Sequence, residues 1–149
     1  MANDRSPWAD GPGVVELADG RRIRGRGLRH AMPAGQTPEF GVYLLARDPG
    51  PFDWEHRWVR WADFRTPSST PDALAVLRDA HERSATERVE IACGGGVGRT
   101  GTALAAIAVL AGVPAAEAVG WARRAYNARA AETPWQRRWI RQLVLTRGR

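Results

Sequence analysis

The stretch "RVEIACGGGVGRTGTALAAIAVLA" at residues 88–111 decides the fold. Its first six residues predict a short β-strand that ends at Cys93, and "TALAAIAVLA" at 102–111 is apolar on every side, which predicts a central, buried helix. A glycine-rich loop joins the two elements. Such a unit favours anion binding, because the amides of the loop converge on one point and the helix N-terminus adds partial positive charge.

Two nucleotide-binding motifs share this arrangement, but the sequence does not fit either of them. "GVGRTG" at 96–101 matches the dinucleotide pattern G-x-G-x-x-G, but the chain after it reads as helices without the further strands that a nucleotide-binding half needs. The second motif is the nucleoside-triphosphate loop G-x-x-x-x-G-K-[ST]. "CGGGVGRT" at 93–100 departs from it at two defining positions, because Cys93 replaces the first glycine and Arg99 replaces the lysine.

A cysteine nucleophile in an anion cradle explains the loop better. Cys93 and Arg99 stand in the pattern C-x-x-x-x-x-R, in which amide donors and a guanidinium stabilise a thiolate and bind an anion. Thr100 is placed to donate its hydroxyl to the sulfur. The alternative is an inert buried cysteine beside a glycine-rich turn. We call residues 94–99 the cradle, and its predicted phosphate-binding residues are Gly94, Gly95, Gly96, Val97, Gly98 and Arg99.

The sequence "CGGGVGRTG" at 93–101 resembles the signature loop of the cysteine-dependent protein tyrosine phosphatases, including the dual-specificity group. The resemblance implies a phosphocysteine intermediate at Cys93 and phosphate binding at Arg99. It also implies no metal and no cofactor, and the three histidines and one cysteine show no metal-ligand spacing. The chain departs from the family at Ala92, where a histidine usually precedes the nucleophile.

The same resemblance implies a general acid on a mobile loop. "WADFRTP" at 61–67, which we call the acid loop, is similar to the family's W-P-D loop, and Asp63 lies 30 residues before Cys93. Asp63 is expected to protonate the leaving oxygen and then to take a proton from water. The alternative is an ordinary aspartate at a strand end. Two residues differ from the family pattern, Ala62 for proline and Arg65 for glycine.

A further segment, "ETPWQRRWI" at 132–140, is similar to the family's glutamine loop, which positions the hydrolytic water. Gln136 matches its second glutamine, and Glu132 stands in place of the first. Gln136 also begins the inner face of the predicted last helix, which continues through Ile140, Leu143 and Val144. The alternative for Gln136 is a hydrogen bond to nearby backbone at the helix start.

The rest of the chain predicts a single-domain α/β fold, tyrosine-phosphatase-like, with a small, mostly parallel central sheet flanked by helices. "VVELADGRRIRG" at 14–25 predicts an N-terminal β-hairpin that turns at Asp19–Gly20. Residues 1–12 are expected to be loose, and 13–149 to form the phosphatase-like domain. The other predicted elements are strands at 41–46 and 56–61 and three helices. The first helix has Thr70 as its cap and Pro71 at its first position and runs to about Ser84, the second runs from Pro114 to about Asn127, and the last has Thr133 as its cap and Pro134 at its first position.

Composition limits the partners. The 149 residues are 44% hydrophobic and 26% charged, as in a globular protein, and one cysteine excludes an intrachain disulfide. All 22 basic residues are arginine and the net charge is +6, which is compatible with an anionic, phosphorylated substrate. The only dense basic cluster is "RRIRGRGLR" at 21–29, which is weak evidence for nucleic-acid binding, so no nucleic acid is expected. With no apolar run long enough for a membrane span and no signal core, the expected location is cytoplasmic.

The sequence therefore predicts a phosphate monoester hydrolase, a protein tyrosine or dual-specificity phosphatase. Its expected catalytic residues are Cys93, Asp63, Arg99, Thr100 and Gln136. Two other functions stay open: a catalytically impaired module that binds phosphate or phosphoproteins, and a related thiol enzyme such as an arsenate reductase. The substrate remains open among phosphotyrosine, phosphoserine or phosphothreonine, phosphoinositides and small metabolite phosphates.

Overall fold

The computed structural model describes residues 7–143, which form a five-stranded sheet and four helices. The strand order is β1-β2-β5-β3-β4; β1 and β2 are antiparallel and the other pairs are parallel, which confirms the mostly parallel sheet and the hairpin. The strands are β1 (Val14–Glu16), β2 (Arg22–Gly27), β3 (Phe40–Leu45), β4 (Glu55–Arg60) and β5 (Val89–Cys93).

Two helices pack on the sheet and two pack behind them. The helices are α1 (Thr70–Arg83), α2 (Gly98–Leu110), α3 (Ala115–Ala125) and α4 (Pro134–Arg141). Helices α1 and α2 contact the strands, whereas α3 and α4 contact α2. Helix α2 is buried along almost its whole length, as its apolar sequence predicts.

Several predicted helix ends differ from those of the structure, and the starts of α2 and α1 are two of them. Helix α2 begins at Gly98 rather than at 102, because the last residues of the glycine loop already take helical conformation. Ser69, not Thr70, caps α1, and its side chain accepts a hydrogen bond from the Asp72 amide. Val144 lies outside the described residues.

The two faces of the central strand β5 differ in chemistry because successive side chains point to opposite sides. Val89, Ile91 and Cys93 belong to the main apolar core with α1 and α2. Glu90, on the other face, is fully buried. Its carboxylate accepts hydrogen bonds from Arg24 Nη2 at 2.8 Å and Arg26 Nε at 2.7 Å.

Aromatic side chains from β3 and from the loops take part in this polar face. Tyr43 donates to Glu90 at 2.9 Å, and Phe52 stacks on the Tyr43 ring. Trp8 is buried, donates through its indole to the Val89 carbonyl at 2.8 Å, and has the Arg24 guanidinium over its ring. The segment expected to be loose is therefore anchored at Trp8, because burying an indole with its N–H satisfied is favourable.

The topology sets the position of the site. Strands β2, β3, β4 and β5 run parallel, so their C-terminal ends lie at one edge of the sheet. Cys93 ends β5, and the acid loop follows the end of β4 at this same edge. None of the helices in residues 7–143 is long and apolar enough to cross a membrane.

Candidate active site

The sulfur of Cys93 lies at the junction between β5 and the cradle. Sγ accepts hydrogen bonds from the Gly96 amide at 3.2 Å and from Thr100 Oγ1 at 3.0 Å. Cys93 is only 2% exposed. Two donors aimed at one sulfur are the arrangement that stabilises a thiolate.

The start of α2 supplies further donors. The first amide of this helix to bond within it is that of Gly101, which donates to the Val97 carbonyl at 2.8 Å. Within residues 7–143, the amides of Gly98, Arg99 and Thr100 therefore have no helical partner. Unpaired amides at a helix N-terminus attract an anion.

The cradle is held mainly by backbone contacts. Gly96 has a φ of 73°, and a Cβ there would lie 2.4 Å from the Gly27 amide nitrogen, so only glycine fits. Leu28 donates its amide to the Cys93 carbonyl at 2.8 Å, and Arg29 donates its amide to the Gly94 carbonyl at 3.0 Å. These bonds extend the β2–β5 pairing into the loop.

One side chain also supports the cradle. Tyr126 donates its hydroxyl to the Gly96 carbonyl at 2.5 Å. Burial, and then the nearby charge of Cys93, raise the pKa of Tyr126 well above its usual value. Its phenol therefore keeps its proton and remains a donor at neutral pH.

Arg99 joins the cradle to the acid loop. It is 4% exposed, and its Nη1 donates to the Trp61 carbonyl at 3.1 Å. Its Nε lies 3.6 Å from Asp63 Oδ1, and the Asp63 side chain is 44% exposed at the mouth of the site. The structure thus brings together Cys93, Arg99 and Asp63, which are far apart in the sequence.

Helix α4 fixes the other side of the acid loop. Gln136 Nε2 donates to the Arg65 carbonyl at 2.9 Å, and the Trp61 indole donates to the same carbonyl at 2.5 Å. The indole of Trp135 donates to the carbonyl of Phe64, whose φ is 63°. Three carbonyls of this loop, at 61, 64 and 65, therefore accept side-chain hydrogen bonds.

Gln136 points inward, as its position on the helix predicts, but both ends of its amide are engaged. Its Oε1 accepts from the Thr133 amide at 3.2 Å in a capping box, while Nε2 holds the acid loop. The water-orienting role expected from the resemblance does not fit this arrangement. The hydrogen bonds instead make Gln136 a contact between α4 and the acid loop.

A cleft of about 130 Å³ opens at the sulfur. Two charged side chains that the sequence did not assign to this cleft, Arg29 and Glu132, line it together with Cys93. Glu132 lies against Gly98, where a Cβ would come within 2.2 Å of its Oε1. The sequence held no local signal for Arg29, because its place beside the cradle depends on the parallel pairing of β2 with β5. The lining residues are Arg29, Asp63, Phe64, Cys93, Gly95, Val97, Gly98 and Glu132.

Metal binding has no visible site. In the part of the chain that the structure describes, no group of three or more His, Cys, Asp or Glu side chains is placed to hold a metal ion.

Comparisons with known proteins identify the family of the chain. Residues 62–146 match the family model PTP-SAK, described as "Swiss Army Knife protein, DSP-PTPase phosphatase domain". A crystal structure of Tk-PTP in the active form is 26% identical with a TM-score of 0.67, over 89% of this chain and 99% of that one. A mutant form of Tk-PTP is also 26% identical, with a TM-score of 0.66, over 87% and 93% of the two chains.

No curated protein matches the chain. The family model nevertheless covers more than half of the 149 residues and includes the cradle and the acid loop from residue 62 onward. The chain therefore belongs to the DSP-PTPase phosphatase domains of the PTP-SAK family, within the superfamily of cysteine-dependent protein tyrosine and dual-specificity phosphatases.

Proposed function

We propose that this protein hydrolyses phosphate monoesters through a phosphocysteine intermediate at Cys93. The observation that carries the proposal is the convergence on one sulfur of the Gly96 amide and the Thr100 hydroxyl, in a cleft that Asp63 also lines. A thiolate, an anion cradle and an acid on the opposite side are the groups that in-line phosphoryl transfer needs.

In the first step, the Cys93 thiolate attacks phosphorus and the bond from phosphorus to the ester oxygen breaks. Asp63 gives its proton to that oxygen, so an alcohol or phenol leaves. The free amides at the start of α2 and the Arg99 guanidinium bind the phosphoryl oxygens and stabilise the charge of the transition state. Asp63 is expected to lie beside the bound phosphate, since its Oδ1 is 3.6 Å from Arg99 Nε in the free structure.

In the second step, water attacks the phosphorus of phosphocysteine and the sulfur–phosphorus bond breaks. Asp63, now a carboxylate, accepts the proton of the attacking water. Thr100 donates its hydroxyl to the departing sulfur, across the contact of 3.0 Å in the free enzyme. The products are inorganic phosphate and the thiolate that began the cycle.

Gln136 has a positioning role in this scheme. Its bond to the Arg65 carbonyl holds the acid loop against α4, which keeps Asp63 at the mouth of the cleft. We do not assign it to the hydrolytic water.

The test is turnover of para-nitrophenyl phosphate. Wild type is expected to release nitrophenol in a burst, followed by slower turnover with release of phosphate, and vanadate is expected to inhibit. Cys93→Ser should be inactive, and Asp63→Asn should be slower by about 10²-fold or more. Hydrolysis that survives in Cys93→Ser would exclude the mechanism, and phosphate binding without any turnover would identify a binding module instead.

A further inference from the structure

We infer that Arg29 binds a second anionic group on the substrate, so that the preferred substrates are small phosphate monoesters carrying a second phosphate. The inference rests on the proposed function, since it concerns the same cleft. Arg29 lies outside the nucleophile, acid and cradle that the proposed reaction uses.

The first observation is where Arg29 is held. Its backbone amide bonds to the Gly94 carbonyl, and its guanidinium covers the α-carbon of Gly94, with Nη2 2.9 Å and Cζ 3.2 Å from where a Cβ would stand. Gly94 directly follows the nucleophile. The guanidinium therefore lies at the Gly94 end of the cradle and lines the cleft with Cys93.

The second observation is that the positive charge of the Arg29 guanidinium is unpaired among the described residues. Across residues 7–143, no hydrogen bond or ion pair joins the Arg29 guanidinium to another residue, and the side chain is exposed. The other arginine of the site, Arg99, is buried; its Nη1 donates to the Trp61 carbonyl, and its Nε lies 3.6 Å from Asp63 Oδ1. An unpaired guanidinium beside a phosphate site is suited to a bidentate contact with a second anion.

The third observation is the shape and charge of the cleft. Its volume of about 130 Å³ is below the roughly 300–1,000 Å³ of pockets that enclose whole ligands, so most of the substrate lies at the mouth. Glu132 stands at the Gly98 end, with Arg129 Nη2 3.4 Å from its Oε2, and Asp63 is the other carboxylate of the lining, so that Arg29 is the one cation among the residues that line the described cleft. The second phosphate is therefore directed to the Gly94 end, where Arg29 lies.

A binding experiment tests this inference without turnover. Methylphosphonate and methylenebisphosphonate differ by one anionic group, and neither is an ester, so their dissociation constants can be measured by calorimetry in metal-free buffer. Wild type is expected to bind the bisphosphonate at least about 10-fold more tightly, the effect of one charge-assisted hydrogen bond. In Arg29→Gln this preference should fall to near unity, while methylphosphonate affinity changes little.

Arg47→Gln is the matched control. Arg47 is exposed just beyond β3, at the same edge of the sheet, and its loss changes the net charge equally. This variant should keep the preference for the bisphosphonate. Equal affinity for the two ligands in wild type, an unchanged preference in Arg29→Gln, or an equal loss in Arg47→Gln would each overturn the inference. Para-nitrophenyl phosphate hydrolysis in the same samples reports separately on the proposed function.

The second phosphate could belong to a soluble sugar or to a lipid headgroup. Phosphate release is therefore compared for fructose bisphosphate and for phosphatidylcholine vesicles containing a phosphatidylinositol bisphosphate, each against its monophosphate. A preference for either bisphosphate that Arg29→Gln removes supports the inference and identifies the source. If neither bisphosphate is preferred, substrate selection by Arg29 is excluded.

Discussion

The cradle and the acid loop meet at one cleft, but different interactions hold them. The cradle continues β5 into α2, and its main supports are backbone contacts with β2 and with the residues after it. The acid loop is held by side chains, from Arg99 on one side and from Trp135 and Gln136 on the other. A substitution that disturbs the backbone contacts of the cradle should therefore impair the whole site. A substitution that removes a side-chain contact of the acid loop should weaken only the proton transfer by Asp63.

The largest effect is expected on the free energy of unfolding. It comes from Glu90, the buried carboxylate of β5 that pairs with Arg24 and Arg26 of β2. Glu90→Gln leaves Arg24 and Arg26 buried without a counter-charge, which should cost about 3 kcal/mol or more of the free energy of unfolding. Urea unfolding of both proteins at neutral pH measures this cost. A loss below about 1 kcal/mol would mean that the network does not hold β5.

The stability lost in Glu90→Gln should also depend on pH, and the direction of this dependence follows from the pKa of Glu90. Burial alone would raise the pKa of Glu90, but hydrogen bonds from Arg26 and Arg24 hold it below its ordinary value of 4.5. Because the folded pKa is lowered, ionised Glu90 contributes its stability above about pH 4.5 and loses it as the pH falls further. The difference in unfolding free energy between wild type and Glu90→Gln should therefore be constant from pH 5 to 7 and shrink below that range. A constant difference down to the lowest pH at which wild type still folds would contradict the account.

The next effect is expected at the cradle itself. Gly96→Ala introduces a Cβ into the backbone of β2 at a positive φ, so the loop must move and the amide that faces Sγ moves with it. We expect kcat/KM for aryl phosphates to fall by about 10²-fold or more, as when one donor to a transition-state anion is lost. Gly20→Ala is the control, since Gly20 also has a positive φ but nothing lies within 4 Å of its added Cβ. Equal activity of these two variants would exclude the steric explanation.

A smaller effect is expected from the contact between α4 and the acid loop. Gln136→Ala removes the donor to the Arg65 carbonyl, so Asp63 is held less precisely and protonates the leaving group less well. With phenyl phosphate, whose leaving group needs the proton, we expect kcat to fall about 10-fold. With dinitrophenyl phosphate, whose leaving group departs without help, kcat should stay near that of wild type. An equal loss with both esters would indicate a general structural defect instead.

The smallest effect is expected from Trp135→Phe, which keeps an aromatic ring but loses the indole donor to the Phe64 carbonyl. Trp135 is 52% exposed, so water can replace part of the lost bond. We expect about a 2–5-fold loss of kcat with phenyl phosphate, corresponding to less than about 1 kcal/mol. If kcat falls more in Trp135→Phe than in Gln136→Ala, Trp135 contributes more than Gln136 to holding the acid loop.

The difference between the loops also explains what the sequence predicted. The strand, the glycine loop and the buried helix are contiguous, so local pattern was enough to predict the cradle with Cys93, Arg99 and Thr100. Asp63 was assigned through a family resemblance, because nothing local in "WADFRTP" shows which residue it will face. Arg29 was not assigned, since its place depends on the pairing of β2 with β5, and that pairing is non-local. Gln136 was assigned a role in water positioning, but its partner is a backbone carbonyl 71 residues away.

The presence of one thiol in the whole chain has a consequence for oxidative damage. Peroxide that reaches Cys93 would convert it to a sulfenic acid, and no second cysteine exists in these 149 residues to trap that species as an intrachain disulfide. Reactivation must then come from a thiol outside the molecule, such as glutathione. Further oxidation to the sulfinic acid would inactivate the protein permanently.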